Sequence, residues 1–359
     1  MKYLNEYRNP ELVSALVREI RRSSRREIAL MEVCGGHTMA IHRYGIPALL
    51  PENIRLLSGP GCPVCVSSRS FVDHAIALAQ MPGMTITTYG DLIRVPGTLS
   101  SLDEARASGC DVRIVGSTLE AIALARANPE RKVVFLGIGF ETTAPGSAAA
   151  AQMAMQQGIN NFSLLSAHKI MPPAMEALIT EGVRINGYIC PGHVSAITGA
   201  SIYDFIPEKY GLGCVIAGFE PTDILQSILM LVKQIEEGRP AVEIQYRRAV
   251  QQEGNLKAQA LLSEVFELCD DWWRGFGTIP TSEQRLKEQY KAFDAAALFK
   301  VSLPEPKEEK GCICGELLKG LKKPSDCKLF AKICTPENPV GACMVSNEGA
   351  CAAFYRYGR

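Results

Sequence analysis

Cys62 and Cys65 stand three apart in the run Gly59-Pro60-Gly61-Cys62-Pro63-Val64-Cys65. At that spacing one turn brings both sulfurs to the same side, where they can share a metal ion or cycle between dithiol and disulfide. Gly59 and Gly61 let backbone approach a ligand closely. A helix expected to start near Ser67 points its positive end at Cys65 and favours thiolate. Cys34, in Cys34-Gly35-Gly36-His37-Thr38, adds a third sulfur. A structural zinc ribbon needs a second pair that Cys34 alone does not supply, and a purely buried pair is the other plain alternative. The set reads as a functional thiol or iron site, a candidate metal site of Cys34, Cys62 and Cys65. His37 and His193 are natural companions, since imidazole ligates, moves protons or hydrogen-bonds an anion, although a satisfied core or loop histidine is common.

A second constellation fills the tail, where Cys312, Cys314, Cys327, Cys334, Cys343 and Cys351 fall within 40 residues. Four thiolates suffice for a [4Fe–4S] cluster. The spacing matches neither common ferredoxin pattern, and a zinc site is the alternative. Small and turn-forming residues around the last four sulfurs suit a loop wrapped round a cluster. Cys327, Cys334, Cys343 and Cys351 are therefore assigned as cluster ligands, with Cys312 and Cys314 as a nearby redox dithiol. Cys110, Cys190, Cys214 and Cys269 read as ordinary small buried residues. Cys190 is a possible exception, because Cys190-Pro191-Gly192-His193 opens a candidate site loop.

These side chains need elements to hold them. Short apolar, β-rich runs are expected as strands at 28–33, 54–58, 85–89, 112–115, 133–138, 162–166, 185–189 and 214–217. They alternate with helical stretches at 71–80, 119–127, 147–157 and 173–181, a pattern that gives parallel sheets flanked by helices, hence α/β. A polar break near Pro129 suggests a first lobe over 28–129 and a second over 130–223. Residues 224–359, with an N-terminal helix in 1–27, are expected to form a helical, cluster-bearing third unit beyond the polar linker Pro304–Lys310. Seven polar, glycine-rich loops follow the strands, including Tyr89-Gly90-Asp91, Gly139-Phe140-Glu141-Thr142-Thr143, Ser166-Ala167-His168-Lys169 and Gly218-Phe219-Glu220-Pro221. In open parallel sheets ligands bind beyond the carboxyl ends of the strands. The loops therefore converge, on this reading, in a cleft between the lobes.

Composition narrows the function classes. The hydrophobic fraction is 47%, the charged fraction 21%, and Lys plus Arg balances Asp plus Glu at 38 each. A neutral total argues against coating nucleic acid, and the basic run 18–26 reads as a solvated helix face. Residues 1–10 carry no secretory pattern, and no apolar run nears the ~18 residues that span a bilayer. A cytoplasmic protein is expected, and in a reducing compartment 13 cysteines point to metal or redox work rather than a disulfide framework.

The runs Glu32-Val33-Cys34-Gly35-Gly36-His37-Thr38, Gly59-Pro60-Gly61-Cys62-Pro63-Val64-Cys65, Gly139-Phe140-Glu141-Thr142-Thr143-Ala144-Pro145 and Pro191-Gly192-His193-Val194-Ser195, together with the cysteine-rich tail, resemble the HypD family of hydrogenase maturation factors over nearly the whole chain. The resemblance implies α/β lobes with a [4Fe–4S] domain like that of ferredoxin:thioredoxin reductase. It also implies a scaffold that, bound to the small chaperone HypC, assembles an Fe(CN)2CO unit for [NiFe]-hydrogenase, with cyano groups from HypE and HypF. On that reading Cys34 and one or both of Cys62 and Cys65 hold the iron, while His37, Thr142, Thr143, His168 and His193 line the cleft as donors to cyanide nitrogens or proton carriers. A cluster-dependent protein disulfide reductase is the competing reading of the same cysteines.

Overall fold

The computed structural model describes residues 6–306 and 310–358, and all eight expected strands form. They are β1 (Ile28–Glu32), β2 (Ile54–Ser58), β3 (Met84–Thr88), β4 (Asp111–Ile114), β5 (Lys132–Gly139), β6 (Phe162–Lys169), β7 (Gly187–Pro191) and β8 (Gly213–Ala217). Continuous apolar runs such as Val133-Val134-Phe135-Leu136 in β5 are buried on both faces, as strands covered by helices on either side require.

Three further strands arise where the sequence reads as a mixed region: β9 (Val242–Ile244), β10 (Phe266–Trp273) and β11 (Gly277–Leu286). The last two form an antiparallel hairpin whose register slips between Cys269 and Asp271. That irregularity, and Pro280 inside β11, blur the period-2 pattern by which a strand is recognised.

One sheet runs β2-β1-β7-β8-β9, all parallel. The other runs β10-β11-β6-β5-β3-β4, parallel from β6 to β4 and closed by the antiparallel hairpin. Pairing thus runs across the break at Pro129: β7 and β8 join β1 and β2, while β3 and β4 join β5 and β6. β1 is buried along its whole length and needs a neighbour on each side, which β2 alone does not provide.

A central core lies between the sheets, and each sheet carries a further core on its other face. The helix Pro10–Ser23 starts at Asn9, whose side chain accepts from the Glu11 and Leu12 amides. Its Val13, Leu16, Val17 and Ile20 pack against the helix Pro221–Glu237 on the first sheet. The tail is not an appendage. Cys314, Leu317, Cys334, Cys343, Met344 and Cys351 belong to the central core, and Gly320 lies against Met31 and Leu57 of β1 and β2. Of the expected linker, Lys307, Glu308 and Glu309 lie outside the described residues, as do Met1 to Asn5 of the N-terminal stretch. Among the described residues no helix is long and apolar enough to cross a membrane.

Candidate functional site

Cys34 lies two residues beyond β1 and takes the N-cap position of the helix Gly35–Arg43. Gly61 presses on it so closely that a Cβ there would stand 2.1 Å from the Cys34 nitrogen, and the Gly35 amide donates to the Gly61 carbonyl at 2.9 Å. The Cys34 loop and the Gly59–Cys65 loop are therefore one backbone unit. Beneath it lies buried Glu32, which accepts from the Cys34 amide at 3.0 Å and the Thr38 hydroxyl at 2.5 Å. Burial raises the Glu32 carboxyl to about 8. Burial, then the charge of Glu348, pushes the Cys34 thiol up to about 12, against the first-turn amides of His37 and Gly36. A metal ion must displace that proton to bind.

Cys62 and Cys65 are joined as a disulfide, with Cα atoms 5.2 Å apart. Cys62 caps the short helix Pro63–Val66, its sulfur accepting from the Cys65 amide at 3.2 Å. The expected helix begins at Arg69, capped by Ser68, so Cys65 lies in the preceding short helix rather than at that helix's positive end. Cys65 Sγ stands 3.9 Å from the Ala342 carbonyl, next to Cys343 in the tail.

His37 and His193 sandwich Phe219, with ring centroids 4.6 and 4.0 Å from it. His37 Nε2 faces the Ala217 and Gly218 carbonyls at 3.2 and 3.0 Å. Since carbonyls only accept, Nε2 carries the hydrogen. Buried Nδ1 has no partner, and burial lowers the ring to about 4. His37 is thus neutral, its Nε2–H engaged by the two carbonyls and its Nδ1 left with a lone pair, which of the expected roles suits a ligand or a proton acceptor better than a donor. His193 is exposed.

The remaining predicted cleft residues sit elsewhere or bond locally. His168 is fully buried, with Nε2 2.8 Å from Ser147 Oγ and its ring edge-on to Phe266, and burial lowers it to about 3. The alternation of β6 turns it into the core beyond the second sheet, so it does not line a site with Cys34. The Thr143 hydroxyl donates to the Ile138 and Phe140 carbonyls of its own loop, and Thr142 is exposed. Among the described residues neither bonds to the Cys34 loop. Cys190 and Cys214 are buried small residues, as expected, whereas Cys110 and Cys269 are only half-buried.

All six tail cysteines line one cavity, walled by Leu317, Leu329, Phe330 and Met344. Cys312 and Cys314 share it with the other four rather than standing apart. A Cβ on Gly341 would come within 2.7 Å of Cys312 Sγ, and the Val340 amide donates to Cys334 Sγ at 3.3 Å. Among the described residues no three His, Cys, Asp or Glu side chains already stand as ligands around a point. The donor chemistry nonetheless fits an iron–sulfur group: four buried and two half-buried cysteines, apolar walls and an amide aimed at sulfur. Burial, then neighbouring Cys314 and Cys334, holds the Cys351 thiol well above its ordinary value, so loading would expel protons.

Sequence reasoning missed Glu32, Glu348 and Arg274, whose guanidinium donates to the Cys65 and Ser67 carbonyls. Glu32 stands two residues before Cys34 and Glu348 three before Cys351, so their spacing was an available signal. Arg274, in the hairpin, had none.

The HypD model, described as a hydrogenase formation family, matches residues 11–358. The chain belongs to the HypD family. It is 48% identical over 370 residues to the hydrogenase maturation factor HypD of Rhizobium leguminosarum bv. viciae, covering 100% of this chain and 96% of that protein. The factor of the same name from Azotobacter vinelandii is 48% identical over 369 residues, covering 100% and 97%. That of Cupriavidus necator is 46% identical over 370 residues, covering 100% and 98%. HypD membership agrees with the motifs quoted above and favours hydrogenase maturation over the reductase reading.

Proposed function

We propose that this HypD-family chain is a cytoplasmic scaffold for [NiFe]-hydrogenase maturation, whose cargo is iron(II) bearing two cyanides and one carbon monoxide. A HypC-type chaperone docks with it, HypE with HypF supplies the cyano groups, and the finished unit passes to the hydrogenase large subunit. The observation that carries this reading is the backbone fusion of the Cys34 and Cys62–Cys65 loops at Gly61, with the tail sulfurs reached through Ala342 on the far side.

Cys34 and one or both of Cys62 and Cys65 hold the cargo, since low-spin iron with such ligands is well served by thiolates. Cys34 gives up its proton as iron arrives, and Glu32 fixes its amide from below. Cys62 and Cys65 take two electrons and two protons to open from disulfide to dithiol. His193, held by Phe219, is the exposed imidazole beside this site. Cys327, Cys334, Cys343 and Cys351 hold a resident [4Fe–4S] cluster, with Cys312 and Cys314 as the accompanying dithiol. When bound, such a cluster supplies single electrons at low potential.

Infrared spectra of the protein, purified anaerobically with its small partner from cells making active hydrogenase, test this. Cyanide and carbonyl stretching bands are expected, and are expected to vanish in Cys34→Ala. Their absence from the native protein would overturn the scaffold.

A further inference from the structure

β9 ends at Ile244, and the residues just after it close on the loops that carry the His37–Phe219–His193 stack. The Gln245 and Tyr246 amides both donate to the Ile216 carbonyl of β8, at 2.9 and 3.1 Å. That anchor sets the Tyr246 ring against two glycines. A Cβ on Gly192, just before His193, would stand 2.7 Å from Tyr246 Cδ1, and one on Gly218, just before Phe219, would stand 2.7 Å from Tyr246 Cδ2. The ring also meets Phe219 edge-on, with centroids 5.9 Å apart. One side chain thus touches the start of both loops, at positions where only glycine leaves room.

Polar bonds lock the same turn. The Gly218 amide donates to Gln245 Oε1 at 3.1 Å, and Gln245 Nε2 donates to Asp223 Oδ1 at 2.9 Å. Asp223 is fully buried and also accepts from the Glu220 amide at 3.2 Å. Both terminal nitrogens of Arg248 donate to its carboxylate. The Arg248 guanidinium lies over the rings of Tyr246 and Tyr7, 4.4 and 3.9 Å from their centroids, and so covers Tyr246 from outside. What these residues hold lies beside Cys34. The Phe219 ring lies against Gly36, where a Cβ would stand 3.1 Å from the ring and 3.7 Å from Cys34 Sγ. The Gly218 carbonyl accepts from His37 Nε2 at 3.0 Å and so helps to fix that ring's tautomer.

We propose that Tyr246 is a positioning residue for the iron site: it holds the His37–Phe219–His193 stack beside Cys34, keeping His37 in its Nε2–H form and His193 on the exposed side. This rests on the reading of Cys34 as the thiolate that holds the cargo. The device is steric. Without the ring both glycine loops gain room, the Gly218 carbonyl is free to turn, and the preference for hydrogen on Nε2 weakens. Small misplacement of groups at a reacting centre is costly. A ring of the same shape without the hydroxyl serves as well, because among the described residues Tyr246 Oη makes no hydrogen bond.

The test uses the full-length, anaerobically purified protein with nitrogen-15 in its histidine rings, of which the chain has 5. Two-bond proton–nitrogen spectra read which nitrogen of each ring carries hydrogen, and His37→Gln and His193→Gln assign the two rings. The native chain is expected to show His37 as Nε2–H alone. Tyr246→Ala is expected to show both forms of His37 and a shifted His193, and to lose the Cys34-dependent iron roughly ten-fold. Tyr246→Phe is expected to keep native spectra and native iron. Tyr246→Leu, which fills part of the space, carries the same expectation as Tyr246→Ala and serves if that variant does not fold, with melting temperature as the control. Native spectra or native iron in a folded Tyr246→Ala or Tyr246→Leu overturns this inference alone, as does loss of either in Tyr246→Phe. A native chain without Cys34-dependent iron overturns the scaffold reading, and this inference with it.

Discussion

Glu141 shows how a buried group leaves a measurable trace without touching the sulfurs. Its Oε1 accepts from the Met171 amide at 2.9 Å, its Oε2 has no partner, and burial raises the carboxyl from 4.5 to about 7. Between those values the folded chain holds a proton that the unfolded chain has released. Stability from this group therefore falls as pH rises from 4.5 to about 7 and is level above, by up to about 3 kcal/mol. Glu141→Gln removes that slope. Denaturant titrations near pH 5 and pH 7.5 should show the variant losing less stability than the native chain across the interval, and equal losses would contradict the assignment. At this scale the cysteines were legible because residue type and spacing carry their chemistry. Which nitrogen of His37 bears hydrogen was not, because the Ala217 and Gly218 carbonyls that decide it lie about 180 residues away.

Loops after parallel strands build the site, and their glycines do the fitting. Gly61 touches the Cys34 backbone where no side chain has room. Gly61→Ala must push the two loops apart, at a cost of roughly 1–3 kcal/mol, as for other overpacked sites. Chemical denaturation should report that loss, and iron content should fall with it. Native stability and iron in Gly61→Ala would show that the loops are not fused. Strands with long apolar runs were legible nearly to the residue. The β10–β11 hairpin was not, because a register slip and a proline disturb its alternation. The same hairpin carries Arg274, so the unread element and the unread residue are one omission. His168 was misplaced for a related reason: on a strand one step in sequence changes the face, and sequence alone did not say which face of β6 looks toward the first sheet.

Across the whole molecule the tail is part of the central core rather than a domain beside it. Cys314, Cys334, Cys343 and Cys351 pack with residues of both sheets. If the proposed cluster occupies the tail cavity, removing it should therefore loosen the entire fold. Melting of chelated protein is expected as one transition at lower temperature, whereas an independent tail would give two. The pairing of β7 and β8 with β1 and β2 was illegible because strand order depends on long-range packing, which local periodicity does not encode. Strand pairing also brings the His193 and Phe219 loops beside Cys34. Fold and site are thus one long-range arrangement.

Iron content per chain, measured with cluster absorbance on anaerobically purified native protein and Cys34→Ala, tests the central claim most directly. The native chain should carry one iron more than the proposed cluster accounts for, and Cys34→Ala should lose that iron while keeping the cluster band. Equal iron in the two proteins would contradict the claim that Cys34 holds the cargo.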